Sequence, residues 1–231
     1  MSLIIRSAAA RGHADHGWLK AAHSFSFAEY YDPKWMGCRS LRVINEDRVA
    51  PGAGFGTHPH KDAEILTFVL SGALRHRDSL GREEVLRAGD VQHLSAGSGI
   101  THSEVNESSS TELHLYQVWL VPESRGLVPS YRDLADPWPE SGRRLVASRD
   151  GREGSLAICQ DATVELLVLE AGAQLELSPA LGRAQWLQLV AGTATGDGVK
   201  LASSDAVAID GQSLSLQAGP SGLKAILFDL K

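Results

Sequence analysis

The sequence predicts an all-β fold of the sandwich or barrel type, repeated in two similar halves. Three observations carry this: short β-rich runs at near-regular intervals, glycine-containing turns between them, and the scarcity of long capped helical stretches. The chain has 231 residues with 23 Gly and 9 Pro, which supplies the turns such a fold needs. That length suits one large or two small domains with a buried core.

In the first half, predicted strands run over residues 41–44, 63–70, 74–77, 84–86, 91–94 and 113–121. The last is the richest in β-formers. Turns follow at Ser71-Gly72, at Asp78 to Gly81, at Ala88-Gly89-Asp90, and in the segment SAGSG from Ser95 to Gly99. Before them, the alternation of His23, Phe25 and Phe27 predicts one short strand whose aromatic face packs on the outside of a barrel. Residues 121–142 hold four prolines and little periodicity, which reads as a linker or an extended strap. The strand rhythm resumes over residues 164–169, 185–190, 206–209, 214–217 and 224–230. The expected division is therefore residues 1–130 and 131–231.

Net charge is −6 and no Lys/Arg run is present, which argues against direct nucleic-acid binding. Cys38 and Cys159 lack CxxC spacing and are expected as buried free thiols in a reducing compartment. The N-terminal segment has no signal-peptide core, and no stretch reaches the length of a membrane span, so a soluble cytoplasmic protein is expected. Ser95 to Gly99 is not a phosphate loop, because no Lys-Ser/Thr follows it.

All nine histidines precede residue 115, so the second half has no comparable ligand set. On a strand, residues i and i+2 face one side. His58 and His60 therefore project two imidazoles together, and His102 and Glu104 share the same spacing. If the two strands are neighbours, three imidazoles and a carboxylate converge on one divalent transition metal. Imidazole suits Fe, Cu, Ni, Mn and Zn, and the carboxylate biases the set towards Fe or Mn. Four protein ligands leave positions open on a metal that takes five or six. Asn106 shares the inward face as an alternative or outer group. Glu64 has two readings: it orients a ligand imidazole, or it pairs with Lys61 or Arg75. His76, His93 and His114 read as core or rim histidines, and His13, His16 and His23 as packing or surface groups. Phe25, Phe27, Phe55, Phe68, Tyr116 and Trp119 read first as barrel core, with a flat aromatic pocket as the other reading.

Gly52, His58-Pro-His60, Glu64 and Gly72 resemble cupin motif 1, and Gly89, Ser95-Ala-Gly97, His102 and Asn106 resemble motif 2. Glu64 falls one place early, Ser95 replaces the usual Pro, and four residues separate Gly97 from His102. With HSFSFAEYYDP, FGTHPHKDAEILTFVLSGALRHRDSLG, VQHLSAGSGITHSE and LHLYQVWLVP, these departures resemble the pirin family, and within it the bacterial pirin-like quercetinases. The resemblance implies a bicupin of two jelly-roll-like barrels, with metal in the N-terminal one alone and a degenerate C-terminal cupin. It implies the ligands His58, His60, His102 and Glu104, with Glu64 outside the coordination sphere. It also implies quercetin 2,3-dioxygenase activity, with a flavonol and O2 as substrates and CO released; for that reaction Glu104 is the candidate general base. Fe(II) is the expected metal, with Mn, Ni, Co or Cu as alternatives. The alternative activity is that of a metal-dependent, redox-responsive regulator of a protein partner. A metal-dependent isomerase, or another non-haem oxygenase, is a third reading on the same fold.

Overall fold

A computed structural model describes residues 2–231. Apart from two single-turn 3-10 helices, its regular structure is β, in two compact units. Among the described residues, no helix is long and apolar enough to cross a membrane.

The chain begins with β1 (Ser2–Arg6). The N-terminal unit then comprises β2 (Gly12–Asp15), β3 (Leu19–His23), β4 (Leu41–Val49), β5 (Gly54–His60), β6 (Glu64–Ser71), β7 (Ala73–Asp78), β8 (Glu83–Arg87), β9 (Val91–Ser95), β10 (Ile100–Asn106), β11 (Leu113–Leu120) and β12 (Ser130–Leu134). They form a seven-stranded sheet in the order β12-β9-β6-β11-β4-β3-β2 and a four-stranded sheet in the order β5-β10-β7-β8. Antiparallel pairing throughout permits the alternation of inward and outward side chains that the sequence displays. One apolar cluster gathers Leu19, Val49, Val69, Leu74, Leu113 and Leu115; another gathers Ala63, Ile65, Leu94, Ala96 and Ile100.

The C-terminal unit comprises β13 (Gly142–Ser148), β14 (Leu156–Ala157), β15 (Ala162–Leu169), β16 (Gln174–Leu177), β17 (Ala184–Gly196), β18 (Val199–Ala202), β19 (Ala206–Asp210) and β20 (Leu214–Leu230). Its sheet runs β1-β19-β17-β20-β15-β13-β14, with β16 on β20 and β18 on β17. Its core is aliphatic, including Leu187, Leu189, Val207, Leu216 and Leu227.

Several expectations change in detail. The units are not separated by one cut at 130/131. β1 pairs in register with β19, so residues 1–11 group with 138–157 and 161–231, while 158–160 group with 12–137. The proline-rich segment is more than a linker, since β12 within it pairs with β9. Residues 214–217 and 224–230 belong to one strand, β20, which pairs with β16, β17 and β15. Its register with β17 shifts twice: Val190 is an extra residue on β17, and residues 219–222 of β20 stand opposite Thr193 alone. The strand predicted at His23 to Phe27 instead ends at His23, where β3 leaves its pairing with β4. Phe25 is fully buried and not packed outside. Both cysteines are free as expected, but each is half-buried.

Candidate metal centre

The centre lies where β5 and β10 pair antiparallel. His102 sits directly opposite His58, and Ile100 opposite His60. β10 alternates strictly: Ile100, His102, Glu104 and Asn106 are buried, while Thr101, Ser103 and Val105 are more open. This is the period-2 signature of a strand with one face inward. β5 carries a bulge, because His102 pairs with His58 whereas Glu104 pairs with Phe55. Gly56 and Thr57 thus oppose Ser103 alone, which turns Phe55 to the same cavity as His58 and His60. Gly54 allows the close approach of the two strands. A Cβ there would collide with the Glu104 carbonyl oxygen.

The imidazoles of His58, His60 and His102 converge, with ring centroids 4.5 to 4.8 Å apart. Their ligand atoms lie within 4.8 Å of one another. Nε2 of His58 and Nε2 of His102 face each other at 3.0 Å. Nδ1 of His58 is 2.7 Å from the Gly56 carbonyl oxygen. A carbonyl can only accept, so this Nδ1 donates and Nε2 carries the lone pair. His60 Nε2 and Glu104 Oε1 are buried without a hydrogen-bond partner. Leaving such atoms unpaired costs free energy unless something else, such as an ion, satisfies them. The donor set therefore fits a divalent metal.

Electrostatics agree with this. His60 is pushed down to about 4 by burial, then by His102 and His58, against an opposing pull from Glu104. His102 is pushed down to about 3 by burial, then by His58 and His76, with Asp78 opposing. Both rings are neutral at pH 7, the state in which imidazole ligates. Glu104 is 3% exposed, and its Oε2 accepts a 2.8 Å hydrogen bond from Gln117 Nε2. Gln117 Oε1 in turn accepts from Trp119 Nε1 at 3.2 Å.

Glu104 groups most closely with His102 and His76, not with all three other imidazoles. His76 is nevertheless a poor ligand. Its Nε2 faces Asp78 Oδ2 at 3.1 Å and its Nδ1 faces the Gln92 amide nitrogen at 3.3 Å, so both ring nitrogens are engaged.

The two outer candidates lie elsewhere. Glu64 contacts neither Lys61 nor Arg75. Its carboxylate faces His93 Nε2 at 2.7 Å and accepts from Ser95 Oγ at 2.6 Å and from the Cys159 amide at 3.2 Å. Burial works to raise its pKa, but these partners outweigh it and hold the group below its ordinary value. Asn106 Nδ2 donates to the carbonyls of Val49, Ala50 and Thr111, and its Oδ1 accepts from the Ser108 amide. It clamps a loop and is bonded to none of the three imidazoles. The groups that do support the centre are Gln117 and the Gly56 carbonyl. Spacing did not mark the latter, because any residue type carries a carbonyl. Gln117 was legible only as the inward neighbour of Trp119 on a strand.

A cavity of about 230 Å³ opens on the centre, walled by Phe27, Phe55 and Trp119 beside His58, His60 and Glu104. Trp119 meets His60 edge-on at 4.9 Å and Phe27 edge-on at 5.4 Å. Of the six aromatics considered, these three line the pocket, whereas Phe25, Phe68 and Tyr116 are fully buried. His23 also lines it, with Nδ1 2.7 Å from Asn45 Oδ1, and so is not a surface group. On the same wall Asp47 is pushed up to about 7 by burial, then by Glu104 and Glu46.

Residues 5–120 match the Pirin family, and residues 145–230 match the family described as Quercetinase C-terminal cupin domain. The chain is 48% identical to a quercetin 2,3-dioxygenase of Escherichia coli over 229 residues, 99% of this chain and 98% of that one. A pirin-like protein of Caulobacter vibrioides is 39% identical over 221 residues, covering 94% and 95%. The crystal structure of the Escherichia coli pirin YhhW in complex with nickel(II) superposes with a TM-score of 0.94 at 47% identity, covering 99% of both chains. Sequence, fold and converging imidazoles thus agree, and the chain belongs to the pirin family, built from two cupin domains.

Proposed function

We propose that the chain is a metal-dependent quercetin 2,3-dioxygenase, opening the central ring of a flavonol with O2 and releasing CO. One observation carries this reading. Three imidazoles converge at one end of a cavity that His58, His60 and Glu104 line together with the aromatic rings of Phe27, Phe55 and Trp119. The names of the relatives support it. His58, His60, His102 and Glu104 would hold the ion, with Fe(II) our choice and Mn, Ni, Co or Cu as alternatives. When bound, a divalent ion supplies Lewis acidity towards the flavonol 3-hydroxyl.

The chain's own residues do the rest. Phe55 and Trp119 confine a planar ring system and exclude water. Glu104 takes the 3-hydroxyl proton on its carboxylate. Gln117 holds Oε2 and so keeps the carboxylate turned to the cavity. His58, anchored by the Gly56 carbonyl, keeps its lone pair aimed at the ion site.

The test is oxygen uptake and CO release on quercetin, paired with metal analysis of the purified protein. Glu104→Gln keeps shape and removes the base. Turnover should fall about 100-fold or more while metal content stays within about twofold. A variant that keeps both metal and turnover would remove Glu104 from the base role.

A further inference from the structure

A second pocket, of about 280 Å³, adjoins the cavity beside the imidazoles. Phe27 and Trp119 line both, so the two spaces meet at these rings. Phe27 begins a tight turn closed by reciprocal 3.0 Å backbone bonds with Tyr30, and Ala28 within it holds φ at 50°. Trp119 is fixed by Gln117. Tyr31 and Met36 form an open aromatic and thioether rim, 72% and 43% exposed. Arg42 lines the wall, where its Nη1 donates to the Ser26 carbonyl at 2.8 Å. A guanidinium has five donors, so others remain for a ligand hydroxyl.

We propose that this outer pocket is the subsite for the pendant ring of a flavonol whose fused rings occupy the cavity beside the imidazoles. The inference rests on the flavonol reading and extends it to a specificity determinant. Size is the first argument. Each space alone falls below the about 300 Å³ at which pockets for drug-sized ligands begin, and the two together exceed it. Continuity is the second, since His60 meets Trp119 and Trp119 meets Phe27 edge-on, so one chain of ring contacts borders both spaces. Chemistry is the third. An aromatic wall with one cationic donor suits a hydroxylated phenyl ring.

The experiment is anaerobic calorimetric binding to the metal-loaded chain, without turnover. The probes are 3-hydroxychromone, which lacks the pendant ring, and 3-hydroxyflavone, which carries it. The wild type should bind 3-hydroxyflavone about tenfold tighter or more. Tyr31→Ala combined with Met36→Ala changes only the outer rim. It should reduce that preference below about threefold and leave 3-hydroxychromone within about twofold of wild type. Equal wild-type affinity for the two probes, or a double variant with its preference intact, would overturn the subsite while the flavonol reading stands. Loss of affinity for both probes in the double variant would also overturn it. A wild type that binds neither probe overturns the flavonol reading itself.

Discussion

Asp47 shows how one buried group can oppose the acid response that the imidazoles give the metal-free protein. It is 4% exposed, its Oδ1 has no hydrogen-bond partner, and its carboxyl is raised from 3.8 to about 7 by burial, then by Glu104 and Glu46. A raised carboxyl removes stability as pH climbs from about 3.8 to about 7, because the unfolded chain ionises first. His60 and His102 act with the opposite sign. Their values fall from 6.5 to about 4 and about 3, so stability is lost as pH drops below 6.5, where only the unfolded chain takes up protons. Between about 4 and 6.5 two imidazoles outweigh one carboxyl, and the metal-free protein should weaken on acidification. Asp47→Asn removes the opposing contribution. Urea titrations of metal-free protein should show a steeper acid loss for the variant and a gain at pH 8 on the order of 1–3 kcal/mol. A flat difference between the two proteins across pH 4–8 would show that Asp47 does not titrate in this window.

At the scale of the element, the centre depends on how closely β5 approaches β10. Gly54 is the contact point, and its need is space, not backbone freedom: an added Cβ meets the Glu104 carbonyl oxygen of the facing strand. Gly54→Ala must push the strands apart, next to the bulge that aims Phe55, His58 and His60 into one cavity. The expected outcome is a stability loss of about 1–3 kcal/mol together with reduced metal content. Urea denaturation and metal analysis would measure the two, and metal content equal to wild type would show that the strands yield without disturbing the imidazoles. The same elements show what a local pattern can and cannot carry. Period-2 spacing selected His58, His60, His102 and Glu104 because a strand fixes side-chain direction every second residue. The bulge was not legible, because Gly56-Thr57 reads as ordinary strand and only the pairing register reveals the extra residue.

At the scale of the whole molecule, the imidazole cluster lies in one unit, and no histidine occurs in the chain after His114. One metal ion per chain is expected. A ligand that binds only the folded state at 100 times its Kd adds about 2.7 kcal/mol. Removal by a chelator should therefore lower the thermal midpoint by several degrees. Replacing His58, His60 and His102 together by Ala should abolish that shift. Differential scanning calorimetry with and without chelator provides the check, and a triple variant that still responds would place metal elsewhere. The twofold repeat of β units was legible from turn spacing. That β1 belongs to the sheet of the C-terminal unit was not, since its partner β19 lies some 200 positions away in the chain.

The sequence by itself determined the β class and the two-part organisation, and it singled out four candidate residues with metal-ligand chemistry, because each follows from local periodicity and side-chain type. Tertiary structure alone decided what surrounds them. Gln117 and not Asn106 holds Glu104, Glu64 is committed to His93, and Phe27 and Trp119 stand where two cavities meet. These are contacts between strands distant in the chain. Pairing register and the turn after β3 set them, and no local pattern encodes either.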